Sequence, residues 1–395
     1  MQNNNIIKLL GLKDNIKVRD VKIKEKEIII AMKLKKDKPC KCPYCSSTKI
    51  YYHDKRKQLI KDIPYNNKRT YFELDRVRYY CPNCKKKIST SPKFIIKNWS
   101  ITNRLFKWIL EEFKNIKSIK EIAEETGLSQ TSILRYLENL NLVRKQMPEV
   151  LCIDEFKGDS GGKKYQVNIA DGKNHEILDI LPSREKIYLE SYFSKIKKEE
   201  REKVKYFVSD MSKTFKEIHD RYFPKSTYLV DKYHYIRQIN WALENVRKEE
   251  QKEMQHEKRV FFKRSRKLLS TQMNKLKEEE KIKVADMLNH SERIRKSYDL
   301  KETFYQFVLT SKNREEGEKR LRRWIKLVED VGDSAWKAAL KAIKNWKEGI
   351  LNTFNAKWTN GYIEGSHNKI KTLKRRSFGM PNFEHFRTRI LLIFS

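Results

Sequence analysis

Glycine and proline are scarce in this sequence, and long apolar runs do not occur in it. Only 12 glycines and 9 prolines among 395 residues argue against long flexible linkers and favour a protein dense in helices. No stretch reaches about 18 consecutive apolar residues, so we expect no membrane-spanning helix. Residues 1–10 lack the basic start and long apolar core of a signal peptide. We therefore expect a cytoplasmic protein, in which paired cysteines more often hold a metal than form a disulfide.

Positive charge is abundant and is spread over the whole length. The 88 lysines and arginines exceed the 52 acidic residues and give a formal net charge of +36. A field of this sign attracts polyanions, and nucleic acid is the first candidate. The alternative is that part of the lysine excess reflects an AT-rich genome. Hydrophobic residues make up 38% of the chain, enough for a sizeable core, and the length predicts two or three domains.

Two CxxC pairs indicate a zinc site. Cys42-Pro-Tyr-Cys45 and Cys81-Pro-Asn-Cys84 are separated by 35 residues, a longer gap than the usual ~15–20 of compact sites. Each pair aims two thiolates at one ion. Alternating segments lie between the pairs (50–52 and 70–80), and a single alternating strand signal runs from 18 to 34, so we predict a zinc ribbon holding one structural Zn²⁺. Cys40 is a substitute ligand by position but is expected to be a bystander, and Cys152 is expected to be an inert core residue.

A helix-turn-helix pattern follows the ribbon. Apolar periodicity predicts one helix over 99–113 and two more over 116–137, with Gly127 at the turn and Ser129 as the cap of the second. The exposed side would then carry the DNA-contacting residues Gln130, Thr131, Ser132 and Arg135. A plain helical hairpin is the alternative interpretation.

From residue 150 the pattern becomes α/β. Strands are predicted at 150–157, 164–171, 176–181, 204–210 and 226–230, with a helix at 213–222 between the last two. Three strands followed by strand, helix and strand is the order of a ribonuclease H-like core, whose first and fourth strands are neighbours. That order would set Asp154 beside Asp210. Residues 235–350 read as amphipathic helices.

Three carboxylates are the candidate catalytic residues. A carboxylate on a buried strand is costly unless its charge is compensated. We predict that Asp154, Asp210 and Glu364 converge on two Mg²⁺ or Mn²⁺ ions that support phosphodiester cleavage. Each acid also has a structural interpretation: Asp154 bonded to a loop, Asp210 as a helix cap, and Glu364 in a favourable first helical turn.

Together these features resemble the bacterial DDE insertion-sequence transposases of the ISL-three type, over nearly the whole chain. Besides the ribbon and the helix-turn-helix, the resemblance rests on four segments: Cys152-Ile-Asp-Glu-Phe156, Val208-Ser-Asp-Met211, Leu229-Val-Asp-Lys-Tyr-His234 and Thr359-Asn-Gly-Tyr-Ile-Glu-Gly-Ser-His-Asn-Lys-Ile-Lys-Thr-Leu-Lys-Arg-Arg-Ser-Phe-Gly379.

The resemblance implies that the three acids are the metal-binding triad, with a helical insertion between the second and third. It also implies that Asp231 and His234 form a (C/D)xxH element that supports the metal ligands. From the residues alone, Asp231 equally fits a helix cap and His234 an ordinary surface position. We assign His367 no catalytic role.

We therefore predict a multidomain α+β protein, divided as follows: N-terminal strands and zinc ribbon 1–95, helix-turn-helix 96–146, ribonuclease H-like core 147–248, helical insertion 249–350, and closing helix with basic C-terminus 351–395. Residues of the closing helix are expected to contact DNA: Asn368, Lys369, Lys371, Lys374, Arg375 and Arg376.

The resemblance implies binding of terminal inverted repeats, cleavage at the transposon ends and joining of the 3′-hydroxyls to target DNA. A dimer on DNA is expected, in a cytoplasmic, nucleoid-associated protein. Two rival interpretations remain open: a DNA-binding regulator with an inactive ribonuclease H-like domain, and a metal-dependent nuclease that cuts without joining.

Overall fold

Two units make up the part of the chain that the computed structural model describes, which comprises residues 7, 10–12, 16–35, 38–89, 92–140, 142–263 and 265–395. Unit 1 combines Met1–Leu142 with Ile370–Ser395, and unit 2 is Val143–Lys369. The predicted division into five parts is finer than this and stays a prediction. The expectation that residues 1–10 do not form a signal peptide concerns a segment of which only residues 7 and 10 are described.

A mixed sheet forms the first half of unit 1. Its strand order is β1-β2-β4-β3, with β5 paired to β4. The strands are β1 (Ile16–Ile23), β2 (Glu27–Leu34), β3 (Tyr51–Tyr65), β4 (Lys68–Tyr80) and β5 (Lys87–Ser89). The single strand predicted over 18–34 is wrong, because the chain turns at 24–26 and β1 pairs antiparallel with β2. The turn contains none of the usual glycine, proline or asparagine signals, so the alternation reads straight through it.

The hairpin of β3 and β4 is the longest element of this sheet. Asn66 and Asn67 join its strands with φ angles of 50° and 57°. Two positive φ values are what a two-residue type I′ turn requires, and asparagine tolerates them better than most residues. Ile60, Phe72 and Leu74 of this hairpin pack in one apolar cluster with residues of β1 and β2.

Three helices complete the N-terminal part of unit 1: α1 (Asn103–Lys114), α2 (Ile119–Thr126) and α3 (Gln130–Glu138). The first begins later than predicted because Thr102 caps it by accepting a hydrogen bond from the Leu105 amide. Ser118 and Glu121 form a capping box at the start of α2, and Gly127 ends that helix at a φ of 66°. Helices α2 and α3 with this turn form the predicted helix-turn-helix.

Unit 2 is built on a five-stranded sheet in the order β10-β9-β6-β7-β8. The strands are β6 (Val150–Ser160), β7 (Lys163–Asp171), β8 (Glu176–Leu181), β9 (Tyr206–Ser209) and β10 (Thr227–Val230). The first three are antiparallel to one another, while β9 runs parallel to β6 and β10 parallel to β9. This is the ribonuclease H-like order, and it confirms that the first and fourth strands of the core are neighbours.

Helices make up the rest of unit 2, in agreement with the predicted helical stretch. They are α4 (Lys186–Ser194), α5 (Lys198–Arg201), α6 (Lys213–Tyr222), α7 (Lys232–Glu253), α8 (His256–Lys263), α9 (Arg266–Ser270), α10 (Glu278–His290), α11 (Glu292–Thr303), α12 (Arg314–Val331), α13 (Lys337–Asn345) and α14 (Lys347–Asn352). Short 3₁₀ turns cover Met273–Lys275 and Ser334–Trp336, and a π-helical turn covers Phe304–Val308. One apolar cluster runs from the sheet into these helices, with Trp324 and Trp336 fully buried in it.

Two further helices close the chain: α15 (Gly361–Arg376) and α16 (Phe383–Ile393). Helix α15 begins in unit 2 and ends in unit 1. Leu392 of α16 belongs to the apolar cluster formed by α1, α2 and α3. No helix among the described residues is both long enough and apolar enough to span a membrane.

Candidate active site and zinc centre

Asp154 lies on β6, the central strand of the unit 2 sheet, and Asp210 lies at the end of the neighbouring strand β9. Asp154 is inside β6 and is 6% exposed, and its Oδ1 accepts a hydrogen bond from the Glu155 amide at 2.8 Å. Asp210 directly follows β9, and its Oδ1 accepts from the Ser212 amide at 3.0 Å. Because β6 and β9 are adjacent and parallel, the two acids face the same part of the sheet. The charge of Asp210 acts on Asp154.

Asp231 is the third strand-end acid of this sheet, immediately after β10. It is 2% exposed, and its side chain makes no capping hydrogen bond to the helix that follows. Its Oδ1 instead accepts from the amide of Asn360, at 2.9 Å. Asp231 therefore occupies the N-cap position of α7, but its side chain does not cap that helix. The sequence could not decide this, because the partner lies 129 residues further along the chain.

The tightest group of possible metal ligands in unit 2, among the described residues, is Asp231, His234 and Glu364. One ligand atom from each lies within 4.8 Å of the other two. Asp154 and Asp210 are not in this group. Asp231 links them to it, since its charge acts on both Asp154 and Glu364. The sequence predicted one triad of Asp154, Asp210 and Glu364, whereas the structure groups Glu364 with Asp231 and His234.

Asn360 fastens the start of α15 to the sheet. Its Nδ2 donates to the carbonyl of Ile153, the residue before Asp154, at 3.0 Å. Its own side chain is 1% exposed. One residue thus contacts both the Asp154 strand and Asp231, and four positions later comes Glu364, whose amide donates to the Asn360 carbonyl.

A second contact holds α15 one turn further along. Asn168 stands opposite Asp154 in the pairing of β6 with β7. Its Nδ2 donates to Ser366 Oγ at 3.0 Å, and both side chains are buried. The first turns of α15 are therefore held against the strand that carries Asp154, which positions Glu364 toward the sheet.

Three acids of this site, Asp154, Asp210 and Glu364, have pKa values above the usual range. Burial, and then the charge of Asp210, raises the pKa of Asp154 to about 8. Burial, and then the charge of Glu155, raises the pKa of Asp210 to about 6. Burial and then the charge of Asp231 raise the pKa of Glu364 as well. Raised values in a cluster of carboxylates mean that its negative charge is under-compensated, which is the electrostatic condition that a divalent cation relieves.

Two functional candidates were missed by the sequence. Arg237 on α7 lies against the site: its Nη2 is 3.3 Å from His234 Nδ1, and its charge lowers the pKa of both Asp210 and Glu364. Its guanidinium is stacked between the rings of Trp241 and Tyr233, at 4.7 and 5.6 Å from their centroids. Arg237 is three positions from His234 and four positions from each of the two aromatic residues. This helical spacing was the sequence signal that could have placed the four side chains on one face of α7.

His367 is the second missed candidate, since it was assigned no role. The structure puts its Nδ1 3.9 Å from Asp154 Oδ2 and packs its ring against Phe156, at 5.1 Å between centroids. Cys152, by contrast, is 1% exposed and raised in pKa by burial, which agrees with an inert core thiol.

The carboxylate oxygens of this site suit a hard divalent ion such as Mg²⁺ or Mn²⁺. They are brought together from β6, the ends of β9 and β10, and α15, four elements with different positions in the chain. The uncompensated buried charge and the oxygen donors both fit a divalent cation.

The four ribbon cysteines form a separate metal centre in unit 1. Their sulfurs lie within 4.8 Å of one another, with Cys42 Sγ 3.6 Å from Cys84 Sγ and Cys45 Sγ 3.6 Å from Cys81 Sγ. Four thiolates at about 2.3 Å from a tetrahedral zinc would be roughly 3.8 Å apart, so the spacing fits this ion. Cys40 is exposed and lies outside the group.

Each CxxC pair ends in a tight turn. Ser46 and Lys85 follow the second cysteine of their pair with φ angles of 59° and 56°. The Cys42 amide donates to the Ser47 carbonyl and the Cys81 amide to the Lys86 carbonyl. The two halves therefore have the same backbone plan. A hydrogen bond from Asn83 lowers the pKa of Cys45 to about 6, whereas burial raises that of Cys84 to about 12.

The predicted DNA-contacting side chains are mostly accessible. On α3, Gln130, Thr131 and Arg135 are exposed, and Ser132 is half-buried, with its hydroxyl 2.8 Å from that of Ser129 in the helix cap. On α15 the predicted set is exposed except for the half-buried Lys374: Asn368, Lys369, Lys371, Lys374, Arg375 and Arg376. Arg376 also pairs with Glu121 at 3.2 Å.

Comparison with known proteins connects the candidate carboxylate site and the zinc ribbon to one kind of protein. Residues 151–390 match a transposase family, the DDE transposases of the ISL-three type, over more than half of the chain. Residues 38–84 match the zinc-finger of the transposases of IS204, IS1001, IS1096 and IS1165. The transposase for insertion sequence element IS1001 of Bordetella parapertussis is 20% identical over 366 residues, which cover 89% of this chain and 88% of that protein.

Proposed function

Because the chain belongs to the DDE transposases of the ISL-three type, we propose that it binds the terminal inverted repeats of its own insertion sequence, cuts the DNA there and joins the ends to target DNA. Membership of this family implies DNA as a partner and the use of a divalent metal. The observation that supports the finer proposal is a set of four acids connected through Asp231, whose charge acts on both Asp154 and Glu364, while the charge of Asp210 acts on Asp154.

We propose that Asp154, Asp210 and Glu364 hold two Mg²⁺ or Mn²⁺ ions, with Asp231 as an additional ligand and His234 supporting it. Bound there, the ions supply positive charge to the phosphate and lower the pKa of the attacking water or 3′-hydroxyl. Asn360 is a positioning residue, since it contacts Asp231 and the strand of Asp154 at once. We also propose that His367, whose Nδ1 lies 3.9 Å from Asp154 Oδ2, helps to orient the Asp154 carboxylate.

Arg237 is proposed to contact the scissile phosphate. Its position between two aromatic rings holds the guanidinium in place without neutralising it, because rings attract a cation while leaving its charge available. A planar, permanently charged group suits the negative charge that accumulates on the phosphate oxygens. Its proximity to Asp210 keeps it next to the proposed metal ligands.

The N-terminal domains are proposed to select the DNA. The helix-turn-helix would read the repeats through Gln130, Thr131, Ser132 and Arg135, beside a ribbon stabilised by one zinc ion. The basic residues of α15 would hold the phosphate backbone. We also propose a homodimer on DNA, since two ends must be joined together; light scattering of the DNA complex measures this.

The test of the catalytic proposal is nicking of a duplex that carries the terminal repeat from the DNA flanking the gene. Wild-type protein should nick it only with Mg²⁺ or Mn²⁺, and Asp154→Asn should bind it but leave it uncut. Asp179→Asn is the matched control, because Asp179 is also a buried strand acid whose Oδ1 accepts from the following amide. Equal rates for Asp154→Asn and wild type would refute the assignment.

Joining separates the proposed function from its rivals. With a supercoiled target plasmid added, strand-transfer products are expected, whereas a nuclease that only cuts would give nicked ends alone. A regulator with an inactive core would bind the repeat and give neither product.

A further inference from the structure

The end of helix α15 has an unusual residue in its terminating turn. The Gly379 amide donates to the Lys374 carbonyl at 3.0 Å and the Phe378 amide to the Arg375 carbonyl at 3.2 Å. This pair of hydrogen bonds is the Schellman ending, which requires a left-handed residue that is usually glycine. Here that residue is Phe378, with a φ of 52°. A phenylalanine is strained in this region of backbone space, where glycine would not be.

The Phe378 side chain is also almost completely in solvent. Its exposed fraction is 97%, the highest among the exposed large hydrophobic side chains of the described residues. Strain is usually retained where the surrounding structure or a function requires it, and a ring this exposed repays none of it by packing within the protein. The geometry therefore indicates that the ring contacts something outside this chain.

The surroundings of Phe378 favour an acidic partner. Five basic residues precede it between positions 369 and 376, and that stretch contains no acid. Arg375 and Arg376 are exposed. A protein surface that offered only an apolar pocket would not need this charge, whereas a nucleic acid uses both the charge and the ring.

Phe378 also lines a groove in unit 1 that contains part of the helix-turn-helix. The groove has a volume of about 760 Å³ and lies between α2, α3 and the segment from Arg376 to His385. Gln130, a predicted base-contacting residue, lines the same groove. Two acids line it as well, Glu121 and Glu124, and the first is paired with Arg376. The ring thus borders the surface predicted to face DNA.

We propose that Phe378 is a wedge that enters a base step of the bound DNA, next to the segment contacted by the helix-turn-helix. Aromatic and apolar side chains used in this way partly unstack neighbouring bases and bend the duplex. Arg375 and Arg376 contact the flanking phosphates. The inference rests on the proposed binding of the terminal repeats and adds a base-stacking residue to it.

The test uses full-length, zinc-loaded protein without Mg²⁺, so that DNA is bound but not cut. The probe is the terminal-repeat duplex with 2-aminopurine at successive positions, whose fluorescence rises when that base is unstacked. Wild type should produce a rise confined to one step. Phe378→Ala should abolish that rise and weaken binding roughly 5- to 100-fold, the usual loss for one stacked aromatic. Phe378→Trp should retain both.

Further variants separate a wedge from a structural or electrostatic role. Phe378→Gly should bind as weakly as Phe378→Ala while melting at or above the wild-type temperature, because glycine relieves the left-handed strain. The salt dependence of binding should keep its slope, since no charge is removed. Ile187→Ala, which alters another exposed apolar side chain, 69% exposed on α4, should change neither affinity nor fluorescence.

Three results would overturn the proposal. The first is wild-type affinity and fluorescence in Phe378→Ala, which leaves the proposed DNA binding intact and removes only the wedge. The second is a change of oligomeric state in DNA-free Phe378→Ala with unchanged DNA affinity, which would assign the ring to a protein interface. The third is absence of repeat binding by wild type itself, which removes the proposed function as well.

Discussion

Replacing Asp154 by asparagine is expected to stabilise the protein when divalent cations are absent. Asp154 is 6% exposed and its pKa is raised from 3.8 to about 8, first by burial and then by Asp210. At about 1.4 kcal/mol per pKa unit, an aspartate at pH 8 costs the folded state about 5 kcal/mol relative to a side chain that never ionises. Asparagine keeps the size of the side chain and an oxygen to accept the Glu155 amide.

The realised gain should be smaller, since the amide must also be buried and the neighbouring acids relax. We expect about 2–3 kcal/mol, which raises the melting temperature of a unit of this size by roughly 5–10 °C. The gain depends on pH in a defined direction. Because the folded pKa is the higher one, the stability contributed by the wild-type carboxyl is fully present below about pH 4 and is lost as the pH rises toward 8. The advantage of Asp154→Asn should therefore grow between those values.

Thermal unfolding in resin-treated buffer, with no soluble chelator so that zinc is retained, measures this difference. Adding Mg²⁺ should raise the melting temperature of the wild type, more at pH 8 than at pH 6, and should raise that of Asp154→Asn much less. Asp179→Asn is the control for replacing a buried strand acid outside the cluster. If Asp154→Asn melts at or below the wild-type temperature at pH 8 without Mg²⁺, the argument from under-compensated charge is refuted.

Three further predictions concern other parts of the protein. Asn360→Ala should lower the free energy of unfolding by about 1–3 kcal/mol, because the buried Ile153 carbonyl loses its hydrogen-bond donor. The variant should also nick DNA more slowly while it binds the repeat as well as wild type. Equal nicking rates would show that Asn360 is not a positioning residue. Cys84→Ser should lose zinc by metal analysis and Cys40→Ser should keep about one ion per chain, as a four-thiolate site requires; retention of zinc by Cys84→Ser would contradict the assigned ligand set. Arg237→Gln should nick at least tenfold more slowly, because removing one donor that stabilises charge typically lowers the rate by that much or more. Its thermal stabilisation by Mg²⁺ should be unchanged, and Arg237→Lys should recover only part of the rate. An unaffected nicking rate in Arg237→Gln would exclude contact with the phosphate.

Local signals were enough to predict much of the fold. Each CxxC pair, Gly127 and Ser129 mark their own turn or cap, and the apolar runs ending in Asp154 and Asp210 mark their strands. Strand order then followed from element order, because a parallel crossover constrains where the fourth strand can lie. The turn at 24–26 was missed because no residue in it carries a turn signal.

The site was less predictable than the fold, and the reason is visible at Asp231. An aspartate before a helix is locally indistinguishable from a cap, and only Asn360, far away in sequence, takes its side chain out of that role. His367 shows the same limit: helical periodicity places it on a face of α15 but cannot say that this face meets Asp154. A carboxylate cluster is a property of tertiary contacts. The sequence identifies the acids at the ends of strands. Which of these acids interact electrostatically depends on the buried amide side chains that hold α15 against the sheet.

Neutral hydrogen bonds between α15 and the sheet keep the acids of this site close together. Asn360 and Asn168 are neutral, buried and hydrogen-bonded between α15 and the sheet. They hold Glu364 against a strand whose own acid already resists ionisation. Without such ties, repulsion among the acids would separate the helix from the sheet whenever no cation is bound. Hydrogen bonds that carry no charge can keep like charges close together, and the resulting electrostatic cost is recovered when a cation binds. If the proposed ions bind here, the raised pKa values of Asp154, Asp210 and Glu364 represent part of the free energy that cation binding would release.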